Sequence, residues 1–86
     1  MEYRSLGASG LFVSELTLGT MIFGETGGRG ADASIATRLI HRYLDAGGNH
    51  LDTANVYANG QAEAIVGQAL KDRRQQVLLA SKVYFP

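Results

Sequence analysis

The chain has 86 residues, enough for one small domain, and its 45% apolar and 19% charged residues are ordinary globular composition. Eight basic and eight acidic residues give a formal net charge of zero, which argues against a nucleic-acid surface or an anionic membrane surface, since both require a basic patch. Because there is no cysteine, disulfides cannot compensate for the small core, and the chain alone is expected to be marginally stable.

The first part of the chain predicts a small hairpin followed by a strand. Two short strand-like segments, 3–6 and 11–14, flank the turn-forming cluster at 7–10. Residues 16–21 predict the next strand. The glycine-rich segment 24–30 lacks the order of residues found in phosphate-binding loops, so we interpret it as a mobile loop over the mouth of a pocket.

The next element is an amphipathic helix that is capped at both ends. Asp32 is its predicted N-cap, and Gly47-Gly48 ends it near Ala46 in a left-handed conformation. One buried stripe is expected to hold Ile35, Leu39, Ile40, Tyr43 and Leu44. The solvent-facing side is expected to hold Arg38, His41, Arg42 and Asp45.

A second strand–helix pair and a final strand complete the pattern. Residues 49–53 predict a short strand, and residues 61–74 predict a helix, because apolar positions recur there at i, i+3, i+4, i+7 and i+8. The apolar run 77–83 is long enough for a buried strand and too short for a helix. Glu63 is expected to serve the N-terminus of the second helix. The last turn of that helix is expected to hold the basic cluster Lys71, Arg73 and Arg74.

This alternation of strands and helices predicts an α/β fold in which parallel strands are joined by right-handed crossovers. Parallel strands require cover on both faces, and two helices can cover only one face of three strands. The other face must therefore meet something that is absent from this chain. The pattern predicts a piece of a larger structure.

Polar residues fall where the predicted parallel strands end, which is where α/β proteins gather their chemistry. The segment 19–21 (Gly19-Thr20-Met21) closes the first of these strands, Asp52 the second and Lys82 the third. Side chains alternate between the two faces of a strand, so Asp52 shares a face with His50, and Lys82 with Ala80. If these two faces coincide, a carboxylate and an ammonium meet at neighbouring strand tips.

Such a pair has two interpretations. It is either a plain salt bridge at the top of the sheet or part of a site that includes Tyr57 in the following loop. A phenol is a poor acid at neutral pH, and a nearby ammonium stabilises its phenolate form. In the second interpretation Asp52 keeps Lys82 charged, and Tyr57 protonates a carbonyl oxygen as hydride reaches the carbon. An external donor must supply the hydride, because no side chain can.

The segments around these residues resemble the aldo-keto reductases. Residues 49–57 (NHLDTANVY) are similar to the signature of that family, and further matches lie at 60–63 (GQAE) and 66–70 (VGQAL). The opening stretch 4–24 looks like the branch of the family that holds bacterial members and potassium-channel β-subunits. The strand that delivers the family's lysine is similar to 77–83, so the resemblance covers essentially the whole chain.

The resemblance implies the N-terminal hairpin and the first three β/α units of a (β/α)8 TIM barrel, incomplete as given, with 1–86 forming the N-terminal part of one domain without an internal boundary. It implies NADPH-dependent reduction of small-molecule carbonyl substrates, aldehydes or ketones, without a metal. The matching catalytic positions are Asp52, Tyr57 and Lys82. The matching cofactor-binding positions are Gly19, Thr20, Met21 and Asp52.

Some of what the family requires lies outside the chain. The resemblance places the catalytic histidine on the next strand, beyond Pro86, and most of the adenine and phosphate contacts in the last third of the barrel. The 86-residue chain alone is therefore expected to be inactive. Two positions also depart from the family's pattern, since Asn55 stands where an acidic residue is common and Ser81 where threonine is common.

Two other functions are kept open. The first is a non-catalytic barrel fragment that self-associates through the exposed edges of its first and third strands. The second is a small Rossmann-like dinucleotide binder, although the glycine fingerprint is missing. In the reductase hypothesis, the uncovered face of the sheet is expected to meet the remainder of the barrel or, in a homo-oligomer, another copy of the chain.

The remaining polar residues predict no further site. His41 is expected at the surface and His50 as a satisfied buried histidine, and neither has neighbours at metal-ligand spacing. Tyr3, Tyr43 and Tyr84 are interpreted as structural. The sequence lacks a signal peptide and an apolar run of the roughly 18–20 residues that span a bilayer, so a cytoplasmic protein is expected, with no membrane contact.

Overall fold

The computed structural model describes residues 1–24 and 30–83. The elements follow the predicted order: β1 Tyr3–Ser5, β2 Phe12–Ser14, β3 Leu18–Gly19, α1 Ala33–Asp45, β4 His50–Asp52, α2 Gln61–Ala69 and β5 Leu78–Ala80. Short 3₁₀ turns, Tyr57–Gly60 and Arg74–Gln76, precede α2 and β5. Residues 25–29 of the predicted mobile loop at 24–30, and Tyr84, which was predicted to be structural, lie outside the described ranges.

The strands form the two sheets that the sequence predicts. β1 and β2 pair as an antiparallel hairpin, and β3, β4 and β5 form a parallel sheet with β4 in the centre. In the parallel sheet Asp52 lies between Gly19 on one neighbour and Ala80 on the other. Main-chain pairing continues past the end of β5, because the Asn55 N–H donates to the Lys82 carbonyl oxygen at 3.0 Å.

Both helices pack on one face of this sheet, and the core lies between them and the central strand. Leu51 of β4, Ile40 of α1 and Val66 of α2 are all buried. The predicted buried stripe of α1 is only partly right, because Ile35 and Leu39 are 42% and 44% exposed. α1 instead presents Ala36, Ile40 and Leu44 to the core. These residues recur every four positions, and the small Ala36 side chain leaves room for close packing.

His41 is also placed differently from the prediction. Its side chain is half-buried, and its Nε2 atom lies 3.0 Å from the carbonyl oxygen of Ala69 at the end of α2. A carbonyl that ends a helix has no partner within that helix, so the imidazole satisfies it from the neighbouring element. His41 therefore links α1 to α2.

The second helix is shorter than predicted. α2 ends at Ala69, and the basic cluster lies in the turns that follow rather than in the last helical turn. Arg73 pairs with Asp45 at 3.0 Å, and Arg74 donates to the Val77 carbonyl oxygen at 2.8 Å. Burial of Leu70 and these contacts turn the chain into β5, which outweighs the helical pattern of the sequence.

Side-chain hydrogen bonds attach the hairpin to the amino end of the sheet. Asn49 Oδ1 accepts from the Ser14 N–H at 2.8 Å. The Tyr43 hydroxyl donates to the Leu16 carbonyl oxygen at 2.5 Å and accepts from the His50 N–H at 3.1 Å. These bonds satisfy main-chain groups of both sheets, so a structural role for Tyr43 agrees with its contacts.

Neither helix in the described part of the chain is long and apolar enough to cross a membrane.

The Tyr43 ring lies directly over Gly48, which yields a stability prediction. A Cβ atom at position 48 would lie 2.1 Å from Tyr43 Cζ, so Gly48→Ala must displace the ring and its hydrogen bonds. We expect the free energy of unfolding to fall by about 1–3 kcal/mol in urea unfolding followed by circular dichroism.

The matched control is Gly67→Ala in α2, where a Cβ meets nothing within 4 Å. Because glycine is a poor helix former, this variant should gain up to about 1 kcal/mol. Equal effects at both positions would contradict the packing of Tyr43 on Gly48.

Candidate active site

The three residues predicted to be catalytic come together at the carboxyl end of the parallel sheet. Lys82 Nζ donates to Asp52 Oδ1 at 2.9 Å and to the Tyr57 hydroxyl oxygen at 3.3 Å. It also donates to the carbonyl oxygen of Thr53 at 2.9 Å. The ammonium thus has one carboxylate, one phenol and one main-chain partner, and the three side chains form a continuous polar cluster.

Strand register explains why Asp52 and Lys82 meet. Asp52 is paired with Ala80, and Lys82 follows two positions later, so its side chain returns to the face of the sheet that Asp52 occupies. The Thr53 N–H donates to the Ala80 carbonyl oxygen at 2.8 Å, which keeps the two chains aligned beyond the last regular pair. The alternation of side chains therefore predicted this part of the site correctly.

Tyr57 reaches the cluster through an unusual turn. The three residues after it, Ala58, Asn59 and Gly60, have φ angles of 50°, 56° and 92°. Left-handed backbone is natural for glycine, is tolerated by asparagine and costs about 1–2 kcal/mol for alanine. This turn reverses the chain between Tyr57 and the start of α2 at Gln61, and so it leaves the phenol at the end of the strands.

The cluster is held together in contact with water. The side chains of Lys82 and Asp52 are 48% and 38% exposed, so their ion pair is screened and adds little to stability. The hydrogen bond to Asp52 is the main cause that raises the pKa of Lys82 above 10.5, and Tyr57 adds to the rise while desolvation opposes it. Lys82 therefore remains an ammonium at neutral pH, and Asp52 orients it.

The strand-end segment predicted to bind a cofactor borders the same cluster. Gly19 is paired with Asp52, and the space beside its Cα is open. Met21 is exposed, whereas Thr20 is buried and its hydroxyl donates to the Asp52 carbonyl oxygen at 3.1 Å. The structure thus gives Thr20 a contact with the main chain of Asp52, and the roles of these residues toward a cofactor stay predictions.

Two contacts of the site were not predicted. One is the Thr53 carbonyl oxygen, because no sequence motif signals a main-chain acceptor. Glu63 was expected to serve the helix N-terminus, and it does lie in the first turn of α2. Its carboxylate, however, accepts a hydrogen bond from the Ser81 hydroxyl at 2.5 Å, next to Lys82.

The histidines lie outside the cluster of Lys82, Asp52 and Tyr57. His50 Nδ1 lies 3.1 Å from the Thr17 hydroxyl oxygen, so the imidazole has a polar partner of its own. Among residues 1–24 and 30–83, no group of three or more His, Asp or Glu side chains could hold a metal ion.

Comparison with known proteins gives this arrangement a context. The model of the Aldo/keto reductase family matches residues 15–86. The chain belongs to the aldo/keto reductase family. As a member of that family, it carries the cluster at the carboxyl end of parallel strands, which is where barrel enzymes have their active sites.

Individual relatives show the same relationship. A probable voltage-gated potassium channel subunit beta from Oryza sativa subsp. japonica is 43% identical over 99% of this chain and 26% of its own length. An aldo-keto reductase from Bacillus halodurans, solved in its holo form, matches with a TM-score of 0.84 and 46% identity over 96% of this chain and 26% of that one. One from Klebsiella pneumoniae, solved in complex with NADPH, has a TM-score of 0.74 and 36% identity, covering 84% and 24%. This chain thus spans about a quarter of the length of these relatives.

The pKa of Lys82 provides a direct test of the electrostatics. Asp52→Asn removes the largest cause of the upward shift, so we expect the pKa of Lys82 to fall toward 10.5 in an NMR titration. Because the folded-state pKa is the raised one, any stability from the pair is present below pH 10.5 and is lost as the pH rises through the folded-state pKa.

Glu15→Gln is the matched control, because Glu15 pairs with Arg4 on the hairpin and not with Lys82. It should leave the titration of Lys82 unchanged. An unchanged titration in Asp52→Asn as well would mean that the carboxylate does not hold the ammonium.

Proposed function

We propose that this chain carries acid–base residues of an NADPH-dependent reductase that converts aldehydes or ketones to alcohols. The observation that supports this is the Lys82 ammonium, which hydrogen-bonds to both Asp52 and the Tyr57 phenol at the open end of the strands. A plain salt bridge would not require the phenol. The family of the chain supports the oxidoreductase class, and the NADPH complex of the Klebsiella relative supports the cofactor.

The direction of the hydrogen bonds supports Tyr57 as the proton donor. Lys82 has only N–H donors, so it donates to the phenol oxygen and leaves the phenol's own proton free for a substrate. When that proton moves to a carbonyl oxygen, negative charge develops on the phenol oxygen, 3.3 Å from the ammonium. The ammonium stabilises this charge, which makes proton transfer easier.

Asp52 and Thr53 keep the ammonium in place during this step. The Asp52 carboxylate and the Thr53 carbonyl oxygen each accept from Lys82 at 2.9 Å. The carboxylate raises the pKa of Lys82, so the lysine holds its proton and acts as a fixed positive charge. In this mechanism Tyr57 is the acid, Lys82 lowers the barrier to its ionisation, and Asp52 orients Lys82.

The residues at the strand ends fit the nicotinamide end of NADPH. Gly19 leaves open space beside the strand, Met21 offers an exposed apolar side chain, and the Asp52 carboxylate can accept from a ribose hydroxyl. When bound, the nicotinamide supplies hydride to the carbonyl carbon. Gly19, Met21 and Asp52 would hold it beside Tyr57.

We also propose that other parts of a barrel cover the surfaces left open in this chain. Ile35 and Leu39 on α1 and Leu79 on β5 are exposed apolar side chains next to the core. The remainder of a (β/α)8 barrel is the occupant that the family suggests, and a second copy of the chain is the alternative.

Tyr57→Phe tests the proton donor. In a protein that contains this chain together with the rest of the barrel, we expect carbonyl reduction to fall roughly 10²–10⁴-fold, as is typical for loss of a general acid, with the circular dichroism spectrum unchanged. NADPH oxidation with a panel of small aldehydes measures the rate. Tyr3→Phe is the control, because Tyr3 lies on the hairpin and donates to the Gly47 carbonyl oxygen in the turn after α1. Full activity in Tyr57→Phe would refute the assignment.

The 86-residue chain without a partner should show little or no NADPH oxidation in the same assay, because it spans only about a quarter of the length of its relatives. Turnover at an ordinary enzymatic rate would overturn this expectation. Sedimentation of the same sample tests the alternative that the chain is a self-associating barrel fragment. That alternative predicts oligomers, and a well-behaved monomer would contradict it.

A further inference from the structure

The hydrogen bond between Ser81 and Glu63 lies beside the catalytic lysine but on the other side of its strand. Ser81 immediately precedes Lys82, and its hydroxyl donates to Glu63 Oε2 at 2.5 Å. Since consecutive side chains point to opposite faces, Lys82 reaches Asp52 on one face while Ser81 reaches the first turn of α2 on the other. The segment that carries the lysine is thus held from both faces.

This segment has little other support in the described chain. Ser81 and Lys82 lie past the end of β5, which is an edge strand of the sheet β3-β4-β5. On the inner side the main chain accepts hydrogen bonds from the Thr53 and Asn55 N–H groups. Along its other edge no strand pairs with β5 within the described residues, so the Ser81–Glu63 bond, which lies on the face toward α2, is an additional support for this segment.

The same bond also links the two segments whose side chains must meet. Tyr57 belongs to the 3₁₀ turn Tyr57–Gly60, which leads directly into α2, and Glu63 lies in the first turn of α2. The link from Glu63 to Ser81 therefore joins the segment that carries Tyr57 to the segment that carries Lys82, in addition to the main-chain bond from Asn55 to Lys82. The hydrogen bond from Lys82 to the Tyr57 hydroxyl oxygen is sensitive to small displacements of either segment, because its length of 3.3 Å is at the long end of the hydrogen-bond range.

We propose that Glu63 and Ser81 form a brace that positions Lys82 against Tyr57, and that both are positioning residues of this site. For its kinetic consequence the inference rests on the proposed function, whereas its geometric consequence does not. A merely structural bond would change the stability of the fold and leave the contact between Lys82 and Tyr57 as it is. If the bond is a brace, its removal must also loosen the contact between Lys82 and Tyr57.

NMR on the 86-residue chain tests the geometry. Ser81→Ala removes the donor, so the NOE between the Lys82 ε-protons and the Tyr57 ring protons should lose most of its intensity. Ser81→Thr keeps a hydroxyl and Glu63→Gln keeps an acceptor oxygen, so both should retain the NOE. Glu15→Ala, which removes an exposed carboxylate bonded to Arg4 on the hairpin, is the matched control and should also retain it. A lower Tm in Ser81→Ala with an unchanged NOE would overturn the brace.

Kinetics on a protein that contains the chain and the rest of the barrel tests the consequence for catalysis. Ser81→Ala should lower kcat roughly 10- to 100-fold, since small misplacements of reacting groups have effects of this size, and KM for the carbonyl should stay within about twofold. Ser81→Thr should restore kcat. If Ser81→Ala loses the NOE and keeps kcat, the positioning role is refuted. If the parent protein reduces no carbonyl, the proposed function fails, and the NMR comparison still decides whether the brace exists.

Discussion

The ammonium of Lys82 is the interaction on which the site depends, because it joins the strand end at Asp52 and Thr53 to the turn that carries Tyr57. It bonds the end of β4 through Asp52, the following residue through the Thr53 carbonyl oxygen, and the turn before α2 through Tyr57. The pair with Asp52 is half exposed and contributes little to stability. Its contribution is geometric, since a carboxylate on one side and a carbonyl on the other leave the ammonium one direction in which to meet the phenol.

The contacts that anchor the hairpin and the polar cluster around Lys82 occupy opposite ends of the parallel sheet. At the amino end, Tyr43 packs on Gly48, and side-chain hydrogen bonds from Tyr43 and Asn49 fix the hairpin. At the carboxyl end the backbone is less favourable, because Ala58 and Asn59 are both left-handed. Such strain persists only where the surrounding structure holds it, and here it delivers Tyr57 to the lysine. This separation is the one expected of barrel enzymes.

The sequence predicted the order of the elements and the meeting of Lys82, Asp52 and Tyr57, because both follow from local rules. Period-two alternation and parallel strand ends placed Asp52 and Lys82 together without tertiary information. The errors occurred where tertiary contacts decide. Arg74 bonds the Val77 carbonyl oxygen in the turns after α2 ends at Ala69, and no helix-stopping glycine or proline announces this. The exposure of Leu39 depends on how α1 is rotated on the sheet, which its periodicity alone does not set.

On the outer face of the sheet, against which the helices pack, the exposed fraction of the side chains shows where this part of a barrel lacks a packing partner. Leu18, Leu51 and Leu79 lie in one row across the three strands; Leu51 is fully buried, whereas Leu79 at the edge is 37% exposed. The inner face has a similar need, because the Lys82–Asp52 pair is in water, where charge interactions are weak. A cofactor and substrate bound beside Tyr57 would exclude that water and strengthen the attraction between the ammonium and a developing phenolate. The fold therefore brings the charged groups of the cluster together in water, where they attract each other weakly. Their attraction would reach its full strength only when bound molecules exclude that water.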